Sequence, residues 1–276
     1  MRVAVIQMSP GADKTQNIAQ ARALIEATTA AQPVDMVVLP EIWTCLGGDR
    51  AQKFAAAEPL PLPGQTGGEA YEFLRAVAVQ NNLYVHGGSI GELGHNQLFN
   101  TSVVFSPQGE ELARYRKIHL FDIVTPDGQG YRESATYGAG DKVVTFSAKG
   151  LTVGLAICYD LRFPELFLQL RQKGAELILL PAAFTLQTGK DHWEVLLRAR
   201  AIETQSWVAA AGCTGLHHEP DGAPRYTYGH SLIVDPWGHV VAKASDGQGW
   251  AVARIDQSLT RKIRTDMPVL AHRKLI

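Results

Sequence analysis

The sequence is poor in several things at once, and each shortage excludes a class of protein. It has three cysteines, Cys45, Cys158 and Cys213, an odd and widely scattered set for 276 residues. Such a set is no disulfide framework and suits a reducing compartment, so a cytoplasmic location is expected. No apolar run approaches membrane-spanning length, and the opening MRVAVIQMSPGAD has too short an apolar stretch before Pro10 and Gly11 for a secretory signal. Basic runs are missing as well. The formal net charge of -1 comes from interspersed charges, which argues against nucleic acid or a membrane surface as a partner. No Pro/Gly/Ser-rich or charge-block segment divides the chain, so 1–276 is expected to form a single domain, with the wet stretches 125–142 and 215–230 as loops inside it. Cys-X-X-Cys and His-X-X-X-His spacings do not occur, His217 and His218 being adjacent, and no glycine-rich phosphate loop is evident. The expected chemistry uses no metal and no cofactor.

What the chain does have is apolar content, 46% of its residues, and an internal echo. VDMVVLPE (34–41) resembles AELILLPA (175–182), and TSVVFSPQG (101–109) aligns with HSLIVDPWG (230–238), in the same order along the chain. Two such pairs point to a duplicated unit. Strand-like runs RVAVIQ, MVVLP, LYVHGG and SVVFS have counterparts TVGLAI, LILLP, WVAAAG and SLIVD. Helical periodicity covers 17–31, 68–82, 164–173 and 191–204, the last with Asp191 and Glu194 in capping-box register. The strands are almost continuously apolar, which implies sheets covered on both faces. Two similar halves then predict an α/β fold: a four-layer α-β-β-α sandwich of two face-to-face mixed sheets.

In such sheets ligands collect beyond the carboxyl ends of strands. Three polar residues stand there: Glu41 after MVVLP, Lys117 after ELARYR and Cys158 after TVGLAI. Singly, each has a plainer reading as a capping carboxylate, a solvated lysine or a core thiol. Together they supply what a nucleophilic thiol requires, a base to take its proton and a cation for the developing oxyanion. Cys45 and Cys213, followed by LGG and TGL, read as structural. GGSIG (87–91) matches a nucleophile elbow, but a second strand follows where that motif needs a helix, so Ser89 is set aside.

VVLPE with Glu41, YRKIHLFD with Lys117 and GLAICYDLRFPEL with Cys158 resemble, in order and context, the nitrilase superfamily of carbon-nitrogen hydrolases. The likeness runs from AVIQM near the start to PVLAHR near the end. It implies an amidase acting on small-molecule amides, with Glu41 as base, Cys158 as nucleophile in a thioester, and Lys117 and the Tyr159 backbone N–H holding the oxyanion. Glu133, in YRES, falls on the family's second glutamate, which would orient Lys117. Homo-oligomers, a homodimer or larger, are implied too. Within the superfamily the likeness is to the branch of deaminated glutathione amidase, whose reaction releases 2-oxoglutarate and cysteinylglycine. Omega-amidases acting on 2-oxoglutaramate and short-chain amidases are alternatives, and a non-catalytic binding protein on the same fold is a further one. Because GLHHEPDGAPRYTYGHS (215–231) carries the branch likeness, His217, His218 or Arg225 is expected to hold a substrate carboxylate. Tyr159, Asp160, Arg162 and Glu165 are expected to pair with one another and shape the elbow. RFPEL is expected to open a helix whose amino end faces Cys158 and lowers the thiol pKa.

Overall fold

Each half of the chain builds three parallel strands and then a returning antiparallel one. The computed structural model describes residues 1–62, 64–94, 97–125, 128, 130–218 and 224–274. In the first half β1 (Arg2–Gln7), β2 (Met36–Val38) and β3 (Tyr84–His86) lie parallel, and β4 (Leu98–Phe105) returns against β3. Then β5 (Glu111–Arg116) pairs antiparallel with β4. In the second half β6 (Leu151–Leu155), β7 (Leu177–Ala182) and β8 (Trp207–Gly212) lie parallel, and β9 (Leu232–Val234) returns against β8.

The echoing segments occupy equivalent places, β2 with β7 in the middle of each parallel trio and β4 with β9 as the returning strands. Even the turns after the returning strands match. Gly109 N–H donates to Ser106 O and Gly238 N–H to Asp235 O, each at 2.9 Å, with φ of 81° and 93°. Both glycines sit in the left-handed region that a side chain disfavours, which is why the Gly recurs at the same offset.

The two sheets pack face to face through β1 and β8. Alternation along β1 divides its side chains between two cores: Val3 and Val5 enter the layer between the sheets, whereas Ala4 and Ile6 pack under the outer helices. β2 does the same, Met36 and Val38 against Val37 and Leu39. Continuous apolar strands are thus sheets covered on both sides. Helices α1 (Lys14–Ala31) and α2 (Glu69–Asn81) cover the first sheet, α1 started by Asp13, whose carboxylate accepts the Gln16 N–H, and buried through Ile18, Ala21 and Ile25. Helices α3 (Pro164–Gln172) and α4 (Glu194–Thr204) cover the second. The result is the expected four-layer α-β-β-α sandwich.

Two expectations about elements change. Asp191 is no N-cap, because a π-helical turn over Gly189–Trp193 runs straight into α4 and leaves no free helix end there to cap. The strand Gly249–Arg254, which the apolar patterning did not reveal, pairs antiparallel with β1 and closes one edge of the first sheet. Among the described residues no helix is long and apolar enough to cross a membrane.

Candidate active site

Glu41, Lys117 and Cys158 leave three different strands and meet at one end of the sandwich. Glu41 follows β2, and the turn that carries it is held from the neighbouring strand end. Ile42, at φ 44°, donates its N–H to Ser89 Oγ at 2.9 Å. Ser89 is fully buried in this structural role. Gly88 lies so close that a Cβ there would meet Pro40 O at 2.0 Å, so only glycine lets the two strand ends touch. Lys117 follows β5, its backbone N–H donating to Asn100 O at 2.9 Å. Cys158 opens the 3-10 turn Cys158–Arg162 at φ 46°, a left-handed conformation that L side chains rarely adopt. Glu133 opens a second 3-10 turn, Glu133–Ala135.

Lys117 Nζ donates to Glu41 Oε1 and to Glu133 Oε2, each at 2.8 Å, and only 1% of its side chain is exposed. Glu41 Oε2 accepts the Ala183 N–H at 2.8 Å, and Glu41 and Cys158 line the same cavity. Ala183 comes one residue after Ala182, the echo counterpart of Glu41, so the matching strand ends of the two halves face each other here. Glu133 Oε2 also accepts the Phe121 N–H at 2.7 Å.

Burial acts to raise the pKa of Glu41, but the Lys117 ammonium and the hydrogen bonds from Cys158 and Lys117 outweigh it and hold the carboxyl below its ordinary value. For Lys117 burial works downward, yet Glu133 and Glu41 carry it well above the ordinary range. Cys158 is pushed well above 9.0, first by burial and then by Glu41, against the pull of Lys117. The expected lowering by a helix end is therefore absent: the thiol opens its own short turn, α3 begins only at Pro164, and Glu41 dominates nearby. The resting pair is carboxylate and thiol. A base below its ordinary 4.5 and a thiol above 9.0 predict that kcat/KM for amide hydrolysis stays flat between those pH values, with the acid limb below and the alkaline limb above. Initial rates across pH check this, and a limb inside that window would contradict it.

The cluster floors a cavity of about 210 Å³ whose walls include Tyr131, Tyr137, Arg162, Phe184 and Arg225. The Tyr159 N–H precedes the first hydrogen bond of its turn, Asp160 N–H to Ile157 O at 3.0 Å, and has no acceptor of its own among the described residues. Of the three residues expected to hold a carboxylate, only Arg225 lines the cavity. It donates from Nη2 to Ala183 O at 3.1 Å, stands over the Tyr131 ring, and its buried Nε has no protein partner among the described residues. His217 is buried with both ring nitrogens occupied, Nδ1 2.8 Å from Pro10 O and Nε2 2.7 Å from Thr227 Oγ1, so it braces the hairpin Thr214–His217/Arg225–Tyr228. His218 is exposed away from the cavity, its carbonyl accepting the Gly48 N–H. Residues 219–223 of that loop lie outside the described residues.

The elbow is built differently from the expected pairing. Asp160 accepts from Tyr115 Oη at 2.7 Å and from the Ile157 N–H at 2.9 Å, with His119 Nδ1 at 2.7 Å. Its partners thus come largely from the other half of the chain. Arg162 forms no ion pair with Asp160 or Glu165 among the described residues and lines the cavity instead. Cys45 also lines the cavity, and Cys213 is buried with its thiol 3.3 Å from Glu41 O. None of the three cysteines forms a disulfide among the described residues. Sequence reasoning missed Asn100, which opens the polar run Asn100–Ser102 inside the strand LFNTSVVF. Among the described residues no three His, Cys, Asp or Glu side chains converge to hold a metal ion.

The carbon-nitrogen hydrolase family model matches residues 2–265. Among curated proteins, a deaminated glutathione amidase from Synechocystis sp. is 40% identical over 280 residues, 99% of this chain and 98% of that protein. Omega-amidase NIT2 from Homo sapiens is 38% identical over 273 residues, 99% of this chain and 95% of that protein. Among solved structures, Saccharomyces cerevisiae Nit3, a member of branch 10 of the nitrilase superfamily, has a TM-score of 0.86 at 31% identity and covers 100% of this chain and 97% of its own. Matched in sequence and fold over nearly its full length, the chain belongs to the carbon-nitrogen hydrolase family.

Proposed function

We propose that the protein is a cysteine amidase that cleaves a small amide carrying a carboxylate on its acyl side, with deaminated glutathione as the preferred substrate. The observation that carries this reading is the buried Glu41–Lys117–Glu133 cluster against Cys158, in a cavity walled by an arginine with an unspent donor.

Glu41 takes the thiol proton as Cys158 attacks the amide carbon, and the carbonyl oxygen becomes an oxyanion. An ammonium has three donors, and two of the Lys117 donors serve the glutamates, so the third is available to that oxygen together with the Tyr159 N–H. Each such preorganised donor is worth about 3 kcal/mol. Protonated Glu41 passes its proton to the leaving nitrogen, cysteinylglycine departs, and a thioester remains. Glu41 then activates the water that releases 2-oxoglutarate and restores the thiol. Glu133 keeps Lys117 in place and balances its charge.

Arg225 supplies the acyl-side carboxylate contact. An omega-amidase acting on 2-oxoglutaramate would present the same acyl group, so the leaving group separates the two readings. Lys53, Arg132 and Arg162 also face the cavity, more cations than one carboxylate occupies, and this favours a substrate with a second carboxylate on the leaving side. Relatives named deaminated glutathione amidase support the same choice.

Specificity constants for deaminated glutathione and 2-oxoglutaramate, measured at low concentration, test the reading. A higher value for the smaller amide would reverse it. Arg225→Met is expected to raise KM for either substrate by roughly 10- to 100-fold, the loss of a charged hydrogen bond, with kcat little changed. An uncharged short-chain amide should be unaffected. Equal losses on charged and uncharged amides would remove Arg225 from the carboxylate site.

A further inference from the structure

The cluster holds a member that base, cation, second glutamate and thiol do not account for. Asn100 lies on β4 with no solvent exposure. Its carbonyl oxygen accepts the Lys117 N–H at 2.9 Å, a ladder contact that fixes where the lysine leaves the sheet. Its Nδ2 donates to Glu41 Oε1 at 2.9 Å and to Glu133 Oε1 at 3.1 Å. Its Oδ1 has no protein partner among the described residues. Turning the amide over would set that oxygen against two carboxylates, so the neighbours dictate the donor orientation. Both N–H groups are committed to the glutamates, even though a buried amide oxygen is left unpaired.

We propose that Asn100 is a positioning residue that decides which oxygen of Glu41 carries protons. Glu41 Oε1 accepts from both Lys117 Nζ and Asn100 Nδ2, which occupies its two lone pairs. Oε2 accepts the Ala183 N–H and keeps a lone pair for the thiol. The proton therefore leaves Cys158 Sγ for Glu41 Oε2 and passes from that oxygen to the leaving nitrogen, with none gained or lost. The second N–H of Asn100 ties Glu133 to the same frame, so both carboxylates flank Lys117 in fixed directions. This inference rests on Glu41 acting as base in the proposed reaction.

The test reads two quantities on the full chain: alkylation of Cys158 by iodoacetamide across pH, located by mass, and hydrolysis of deaminated glutathione. Asn100→Leu keeps the volume and removes both donors. It is expected to slow both reactions by roughly 100-fold and to move their acid limb up by about one pH unit, since ionised Glu41 loses a donor. Asn100→Asp should fall further, because it places a third carboxylate in the cluster. The double variant Asn100→Asp/Glu133→Gln restores the cluster's charge but leaves a carboxylate instead of a donor against Glu41 Oε1, so it is expected to recover about tenfold over Asn100→Asp while its acid limb stays above that of the wild type. Thermal melts select the folded variants, and if Asn100→Leu does not fold, the acid limb of the double variant decides, since its charge is that of the wild type and its donor to Glu41 is missing. Slower reactions with an unmoved acid limb, in Asn100→Leu or in the double variant, would overturn the inference. Failure of the wild type to hydrolyse amides would overturn the proposed function instead, while the alkylation profiles would still judge Asn100.

Discussion

Cys158→Ala is expected to lower kcat for amide hydrolysis by at least roughly 10⁴-fold while leaving the fold in place. The thiol is the group that forms the covalent bond, and neither Cys45 nor Cys213 can replace it. Cys213 is fully buried with its thiol against Glu41 O, and Cys45 is buried in the loop after Glu41 with its thiol 3.7 Å from Gly47 O. Structurally the change removes one small atom from a site that is 6% exposed, and alanine tolerates the φ of 46° no worse than cysteine does. The melting temperature should shift by only a few degrees. Initial rates and a thermal melt on the same preparation check both halves. Quenching the wild type during turnover should also leave an acyl adduct on Cys158 in the intact mass. Activity within tenfold of wild type, or an adduct on another cysteine, would remove Cys158 from the chemistry.

Lys117→Met is expected to produce the largest loss of stability of any single change at the site. The ammonium stands between two carboxylates with almost no access to solvent, and methionine fills the space without the charge. Removing one partner from a buried ionic cluster costs about 3–5 kcal/mol, because the charges left behind cannot be resolvated. For a chain of this length that corresponds to a fall of roughly 6–20 °C in melting temperature.

The pH dependence gives this a sign. In the wild type Glu41 is held below its ordinary value, so its contribution to stability is present above the unfolded pKa and is lost as pH falls through the lower folded one. In Lys117→Met the buried Glu41 carboxylate loses its cation, burial is left to act on it, and its pKa rises above the unfolded one. The folded state then binds more protons than the unfolded state, and the variant gains stability as pH falls from neutral toward about 5. Melts at several pH values check this. A variant that is destabilised equally at all pH values would place the cost in packing rather than in charge. Hydrolysis should disappear with the lysine, since the oxyanion loses its cation.

The fold was legible because its signals are local and repeated. Two strand pairs in matching order announced a duplicated unit, and unbroken apolar runs announced sheets covered on both faces. Glu41 and Cys158 could be named because each follows an apolar strand of a parallel trio, a known place for chemistry, and Lys117 because it follows the strand-like ELARYR. Elements with weak periodicity were harder. The strand Gly249–Arg254 is only partly buried and reads as a mixed segment, and the turn over Gly189–Trp193 looks in sequence like ordinary helix.

Side-chain partnerships were mostly out of reach, because they join residues far apart in the chain. Lys117 meets Glu41 across 76 positions, and Ala183 meets it across 142. Nothing local distinguishes His217, whose nitrogens are consumed by Pro10 and Thr227, from Arg225, which lines the cavity. The sequence by itself determined the architecture, the three strand ends that carry the reactive groups and the family. Only the tertiary structure decided which histidine is a brace, that Arg225 rather than either histidine lines the cavity, that burial and Glu41 push the Cys158 thiol pKa up, and that Asn100 ties both carboxylates. Periodicity along a chain reports which face of a strand is buried, but the direction of a donor and the charge beside it depend on what the other half of the molecule brings there.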